Sequence, residues 1–362
     1  MRTIVTAAAG LLACCITATA QTSSYTAYEN FPSPASGSFS VVGVALDDGR
    51  LALWNGDALY VQKLPNVDAF ARVATGYAGD PGFMALSPNG DTLLLGPGGV
   101  GDVPYRGRLY VADVATTPDF SPASIAVENQ DHFSGVFLTD TLVLLEVGKP
   151  DFAGSELQVA DLSGGAKAVP RTLVANLPAG GAKNTVVEKP PFTYSGALAV
   201  DRAQGIVYAI SAFGSPQELR YFAVADLIAA YNSGATLDWN TDGTLIGSAG
   251  QFQGGGIAGV TGDGYLVNTG SGSVQIIDPS LENPANASVV QLLDPAGTEG
   301  FYGAIYNAAT DTITAVVEGV AFAPRDAVRS LPALGGVGLL LLAGGLALAA
   351  RQKLTKPVAR VD

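Results

Sequence analysis

Cysteine is nearly absent from this 362-residue chain: there are two, Cys14 and Cys15, side by side near the N-terminus. Histidine occurs once, as His132, and methionine and tryptophan twice each. Only 14% of the residues are charged, with 19 Lys or Arg against 32 Asp or Glu. Each scarcity removes a class of function. With no cysteine after residue 15, the body of the chain has no disulfide framework, no thiolate nucleophile and no cysteine metal site. One imidazole does not make a His-rich zinc site. A Ser-His-Asp triad would have to use His132, and no G-x-S-x-G elbow accompanies it. Long helical periods are scarce too. The best stretch between residues 21 and 330 is 224–231 (VADLIAAY), two turns at most.

The two ends are where apolar residues run on. Met1-Arg2 is a minimal basic start, residues 4–16 are an apolar core too short to span a bilayer, and Ala18-Thr19-Ala20 is a small-x-small cleavage site. Residues 1–20 therefore read as a signal peptide with Gln21 as the mature start. Leu11-Leu12-Ala13-Cys14 also has a lipobox-like form, so a lipid on Cys14 stays open. At the other end, residues 331–350 (LPALGGVGLLLLAGGLALAA) carry no charge. Twenty apolar residues at helical rise just cross a hydrocarbon core of about 30 Å. Arg351, Lys353, Lys356 and Arg360 follow, which predicts a cytoplasmic basic tail, 351–362, with everything upstream on the far side of the membrane. With Arg2, those four cations and Asp362 set aside, residues 21–330 hold 14 basic and 31 acidic side chains, a charge of −17. Such a domain repels nucleic acid and anionic lipid, so nucleic acid is excluded as a partner.

Between the ends lie short alternating or β-branched runs broken by 45 Gly and 21 Pro, the pattern of many short strands. They fall into a loose repeat. Each unit opens with a small-residue strand, a turn and an apolar strand: residues 40–56, 82–96, 133–148, 194–211, 256–270 and 301–319. Five units continue into a third strand, often ending in Asp (58–64, 108–114, 156–162, 219–227, 273–279), and a fourth (71–76, 124–129, 172–177, 244–249, 288–293). Four strands per 40–60 residues is the rhythm of propeller blades. The predicted fold class is all-β, a single β-propeller over residues 21–327. Six blades are counted, and the length of the fourth unit allows seven. A β-sandwich pair or a β-solenoid is the competing architecture. Gly and Ala suit the innermost strands, where backbones crowd round a channel. The sixth unit lacks an outer strand, and residues 23–31 (SSYTAYENF) are expected to supply it and close the ring.

On this rhythm the chain resembles extracytoplasmic β-propellers of the broad NHL/WD40-like type, over residues 23–327, with no Gly-His or Trp-Asp signature. The resemblance implies architecture only. The C-terminal segment resembles a protein-sorting signal of Gram-negative exosortase or related systems: Ser330-Leu331-Pro332-Ala333-Leu334-Gly335, an apolar stretch to residue 350, then Arg351. That implies a sorting protease as partner and transfer to the surface. A plain membrane anchor over 328–350 remains the other reading.

Polar residues gather just ahead of the innermost strands: Asp80, Asp131, His132, Glu188, Gln253 and Glu299. If the blades are placed correctly these converge on one rim of the channel, where carboxylates hold a cation or a polar ligand. Thr298-Glu299-Gly300 resembles the channel-lining Glu of six-bladed calcium-dependent lactonases, without matching Asn and Asp partners. The bland alternative is solvated loop residues, with His132 among them. A second calcium candidate is Asp238, Asn240 and Asp242, the first half of a D-x-N-x-D-G loop. Its twelfth position is Ala249 rather than Glu, and the alternative there is an Asp-Gly hairpin between Leu237 and Leu245. The expected function is a binding or structural module for a protein or polysaccharide partner outside the cytoplasm, with no obligatory cofactor. The rival is a calcium-dependent hydrolase or lactonase at the channel mouth.

Overall fold

The structure is a computed structural model of the chain. It describes residues 26–36, 41–79, 81–97, 109–114, 124–125, 131–148, 154–164, 168–178, 197–211, 217–248, 256–270, 273–279, 288–290, 303–316 and 320–324. The proposed signal peptide, the apolar run 331–350 and its basic tail, and the rim candidates Asp80, Glu188, Gln253 and Glu299 lie outside the described residues. Among the described residues no helix is long and apolar enough to cross a membrane.

The fold is an all-β propeller. The chain opens with β1 (Thr26–Tyr28) and then builds sheets in sequence. Sheet one is β2 (Val42–Ala45), β3 (Leu51–Trp54), β4 (Ala58–Gln62) and β5 (Phe70–Thr75). Sheet two is β6 (Pro81–Leu86), β7 (Thr92–Pro97), β8 (Tyr110–Asp113) and β9 (Ser124–Ile125). Sheet three is β10 (Asp131–Phe137), β11 (Leu142–Gly148), β12 (Ser155–Asp161) and β13 (Arg171–Ala175). Sheet four starts with β14 (Leu198–Asp201), β15 (Ile206–Ile210) and β16 (Glu218–Ala223). The chain then leaves through α1 (Val224–Ser233), β17 (Leu237–Asp238) and α2 (Trp239–Asp242), and returns as the outer strand β18 (Thr244–Ser248). Sheet five is β19 (Gly256–Val260), β20 (Leu266–Gly270), β21 (Ser273–Ile277) and β22 (Ser288–Val290).

Five sheets are thus made by successive stretches of chain. A sixth joins the two ends: β23 (Gly303–Asn307), β24 (Thr312–Val316) and β25 (Val320–Pro324) pair in order, and β1 adds itself antiparallel to β25, Ala27 facing Ala321. The expected closing strand is therefore in place, although the strand it pairs with, β25, had no counterpart in the sequence reading. Innermost strands neighbour one another all the way round: β2 beside β6 and β23, β6 beside β10, β10 beside β14, β14 beside β19, β19 beside β23.

The reason for sheets rather than helices is local. Each first hairpin joins an apolar run to another through a polar turn, and Gly90 (φ 74°) and Gly264 (φ 85°) take the left-handed backbone those turns need. The second strands are apolar on both faces because each sheet is packed on both sides. In β7, Leu93, Leu94 and Leu95 are all fully buried, Leu93 and Leu95 toward sheet one and Leu94 toward sheet three. Each such side chain contributes about 1.5–3 kcal/mol.

Sheets three and four carry a strap. The third strand of unit four stops at Ala223, not at Leu227, because Val224–Ser233 turns helical and buries Leu227 and Ala230 into the core between the two sheets. β17 then runs parallel to β13, making a fifth strand of sheet three. Arg171 of β13 donates to the carbonyls of Ala230 (3.0 Å), Tyr231 (2.8 Å) and Ala235 (3.1 Å), placing a cation at the C-terminus of α1. On the sheet-four side the buried Arg220 pairs with Glu218 at 2.8 Å and donates to the Gly243 carbonyl, while the Trp239 indole N–H reaches Glu218 at 2.8 Å. Burial works to raise the Glu218 pKa; the bonds from Arg220 and Trp239 outweigh it and hold the carboxyl below its ordinary value.

Candidate functional site

The innermost strands enclose a channel with a cavity of about 170 Å³. The innermost strand of every sheet lines it, at Val44, Met84, Val136, Ala199, Ile257 and Ile305, whose side chains are largely taken up in the cores between sheets; Ser134, Arg202 and Tyr306 are its polar side chains. The strands come this close because of their glycines. A Cβ on Gly43 would lie 2.6 Å from the Ala52 carbonyl oxygen and 2.7 Å from Ile305 Cδ1. The Phe83 ring fills a slot whose sides are Gly96 of its own sheet and Gly135 of the next; a Cβ on Gly135 would stand 2.7 Å from Phe83 Cζ, and one on Gly96 would overlap the ring.

The rim candidates divide as follows. Asp131 opens β10, its backbone opposite Gly148, on the innermost strand of sheet three. His132 is next to it and is not on a loop: it lies within β10, opposite Val147, just before a bulge at Phe133. Its side chain is completely buried, and neither ring nitrogen has a hydrogen-bond partner among the described residues. Desolvation pushes its pKa down from 6.5 to about 4, so the imidazole is neutral in the fold. The unfolded chain then binds the extra proton between these two values. Stability is full above about pH 6.5 and is drawn down as pH falls towards 4, by about 3 kcal/mol for this group. Urea unfolding at pH 7 and pH 4.5 should show His132→Leu losing distinctly less stability over that interval than the wild type; identical losses would refute a buried neutral His132.

Asp238, Asn240 and Asp242 sit on the strap, at the outer edge of sheet three and far from the channel wall. The expected hairpin between Leu237 and Leu245 is not formed, because β17 pairs with β13 and β18 with β16. Asp238 instead caps α2: its Oδ1 accepts from the N–H groups of Asn240 (2.8 Å) and Thr241 (3.2 Å), and its Oδ2 from the Asn176 amide (2.6 Å). The Asn176 bond, then the Asn240 N–H, hold its carboxyl below the usual range. Asp242 Oδ2 accepts from the Asp238 N–H at 2.7 Å. Both carboxylates thus have backbone partners within one turn. The capping was readable in Asp238 three residues before Thr241 and four before Asp242, an acidic start to a short helix. Among the described residues no group of three or more His, Cys, Asp or Glu is placed to hold a metal ion.

One channel residue was not anticipated. Arg202, immediately after β14, lines the cavity and donates from Nη2 to the Leu86 carbonyl at 3.3 Å. Its position in the turn VDRAQG carries no motif, and only the closed ring shows what it reaches.

No protein-family model matches the chain, and no curated protein matches its sequence. Solved structures do match. A gluconolactonase from Xanthomonas campestris is similar over 79% of this chain and 86% of its own, with a TM-score of 0.50 and 10% identity. A luciferin-regenerating enzyme is similar over 83% of this chain and 94% of its own, again with a TM-score of 0.50 and 10% identity. A chain of a nidogen–laminin complex aligns over 80% of this chain and 94% of its own at 9% identity, with a TM-score of 0.43. At such identities the likeness to the first two shows the shared propeller fold and no more.

Proposed function

We propose that this protein is an exported, membrane-tethered β-propeller that binds a ligand or partner outside the cytoplasm. The observation that carries this reading is that both ends of the folded chain meet in one sheet. β1 begins five residues after Gln21, and β25 ends at Pro324, six residues short of Ser330 and the apolar run. Six residues reach about 20 Å at most, so a membrane helix at 331–350 holds the ring close to the bilayer. Pro324 lies opposite Thr312, beside the first turn of its sheet. The turn end of the ring therefore faces the membrane, and the end where the innermost strands begin faces away. Segment 331–350 serves as an anchor or as a substrate for a sorting protease.

The channel wall supports binding over catalysis. Among the described residues no carboxylate lines it, and the one described imidazole is neutral and enclosed. The rival reading, a calcium-dependent hydrolase, draws on the likeness to the gluconolactonase and would place calcium on the rim through Asp80, Asp131, Glu188 and Glu299. Thermal melting with calcium or chelator separates the two. A site filled at a hundred times its dissociation constant adds about 2.7 kcal/mol. The binding reading expects coincident melts with calcium and with chelator; a calcium-dependent rise lost in Glu299→Ala would favour the hydrolase reading instead.

A further inference from the structure

We propose that Arg202 is a stopper that closes the turn end of the channel. This stands on the ring geometry and does not depend on export or on what the pocket binds.

The first turns of neighbouring sheets interlock at this end. The Asn307 amide donates to the Gly49 carbonyl at 2.7 Å, joining sheet six to sheet one. The Asn89 N–H donates to Asp140 Oδ1 at 2.9 Å, joining sheet two to sheet three. The Asp47 carboxylate of sheet one lies against Gly90 of sheet two, filling the space a Cβ would need there. Within this collar Arg202 does something different. It starts on sheet four and bonds Leu86 on sheet two, so its side chain passes the intervening sheet three and spans the mouth. The side chain lines the cavity and is also exposed to solvent, as suits a long cationic side chain. The Asp140 and Asp47 carboxylates, from the sheets on either side of Leu86, act on the guanidinium from beyond ion-pair distance. They draw it toward sheet two, which lies between their own sheets, without pinning it to either. A neutral side chain of the same length has no such restoring field. Because the attraction is Coulombic and this end is open to solvent, salt weakens it.

The scarcity of cysteine makes the test direct. In the full chain carrying Cys14→Ser and Cys15→Ser, Ala45→Cys puts a single thiol on the channel wall at its turn end. Its alkylation by iodoacetamide is then timed with Arg202 present and with Arg202→Ala. Loss of a hydrogen bond from a charged donor corresponds to about a ten- to hundredfold change in an opening equilibrium, and labelling is expected to accelerate by that factor. Asp47→Asn combined with Asp140→Asn, or high salt with Arg202 intact, should give a smaller acceleration. Ala112→Cys, in the buried core between sheets one and two, serves as the control and should stay unlabelled throughout. Equal rates at Ala45 with and without Arg202 would overturn the stopper. So would acceleration at both positions, which reports a loosened ring rather than an opened mouth.

Discussion

Deleting residues 21–36 is expected to open the ring: the truncated chain should lose its single cooperative melt and self-associate. Those residues do more than add one strand. Tyr28 is buried and meets Phe70 edge-on at 5.9 Å, and Phe31 meets the same ring at 5.6 Å. The Asp68 carboxylate accepts the N–H groups of Glu29 (2.8 Å) and Asn30 (3.0 Å). Further along, the Ser33 carbonyl accepts the Asn55 amide at 2.9 Å, and the Ala35 N–H donates to the Asn55 carbonyl at 2.8 Å. The segment is thus stitched to sheet one as well as to β25. Truncating one buried aromatic costs about 3–5 kcal/mol, and each bond to a charged group adds about 1.5–3 kcal/mol. Together they approach the whole stability of a typical domain, about 5–15 kcal/mol. The deletion also bares the β25 edge, an unpaired row of backbone groups that invites another chain. A peptide of residues 21–36 added in trans should restore the monomer by re-pairing that edge. Size-exclusion chromatography and calorimetry check both statements. A truncated chain that stays monomeric and melts with the wild type would show that the ring does not depend on β1.

The second large effect is expected at the slot around Phe83. Gly96→Val should destabilise the protein by about 3 kcal/mol, the upper range for overpacking a tight core, because the new Cβ overlaps a ring already held from the other side by Gly135. Strand propensity argues the opposite way, since valine is favoured over glycine in a sheet; the clash decides the sign. The mechanism is separable. Phe83→Ala alone should cost about 3–5 kcal/mol, yet the double variant should cost less than the sum by about 1–3 kcal/mol, the coupling expected of residues in contact. Urea unfolding of the four proteins completes the cycle. Strict additivity would mean that Gly96 is not making room for Phe83.

The blade rhythm was legible because its signals are local. Alternating apolar runs, Asp-Gly and Asn-Gly turns and the Gly-bearing first strands all report on neighbours within a few residues. What escaped was long-range. β17 is two residues long and gains its identity only from lying beside β13, some sixty residues earlier. β25 ends in Pro324 and reads as loop until β1 comes from the other end of the chain to flank it. The site was legible to a lesser degree, for a related reason. His132 looked like a rim residue because it precedes an apolar run, but the strand had already begun and took it into the core. Asp238 and Asp242 matched a cation loop in residue type, while backbone N–H groups one turn away were the nearer partners. Arg202 carried no pattern at all; its reach across the mouth is a property of the closed ring.

The central claim, an exported ring tethered near a bilayer, is tested most directly by the intact mass of the native protein recovered from separated cell fractions. The account predicts a chain beginning at Gln21, recovered from membrane or surface fractions and not from the cytoplasm, with residues 331–362 kept if the helix is an anchor and missing if it is a sorting signal. A protein recovered from the cytoplasm with Met1 and all 362 residues in place would contradict it.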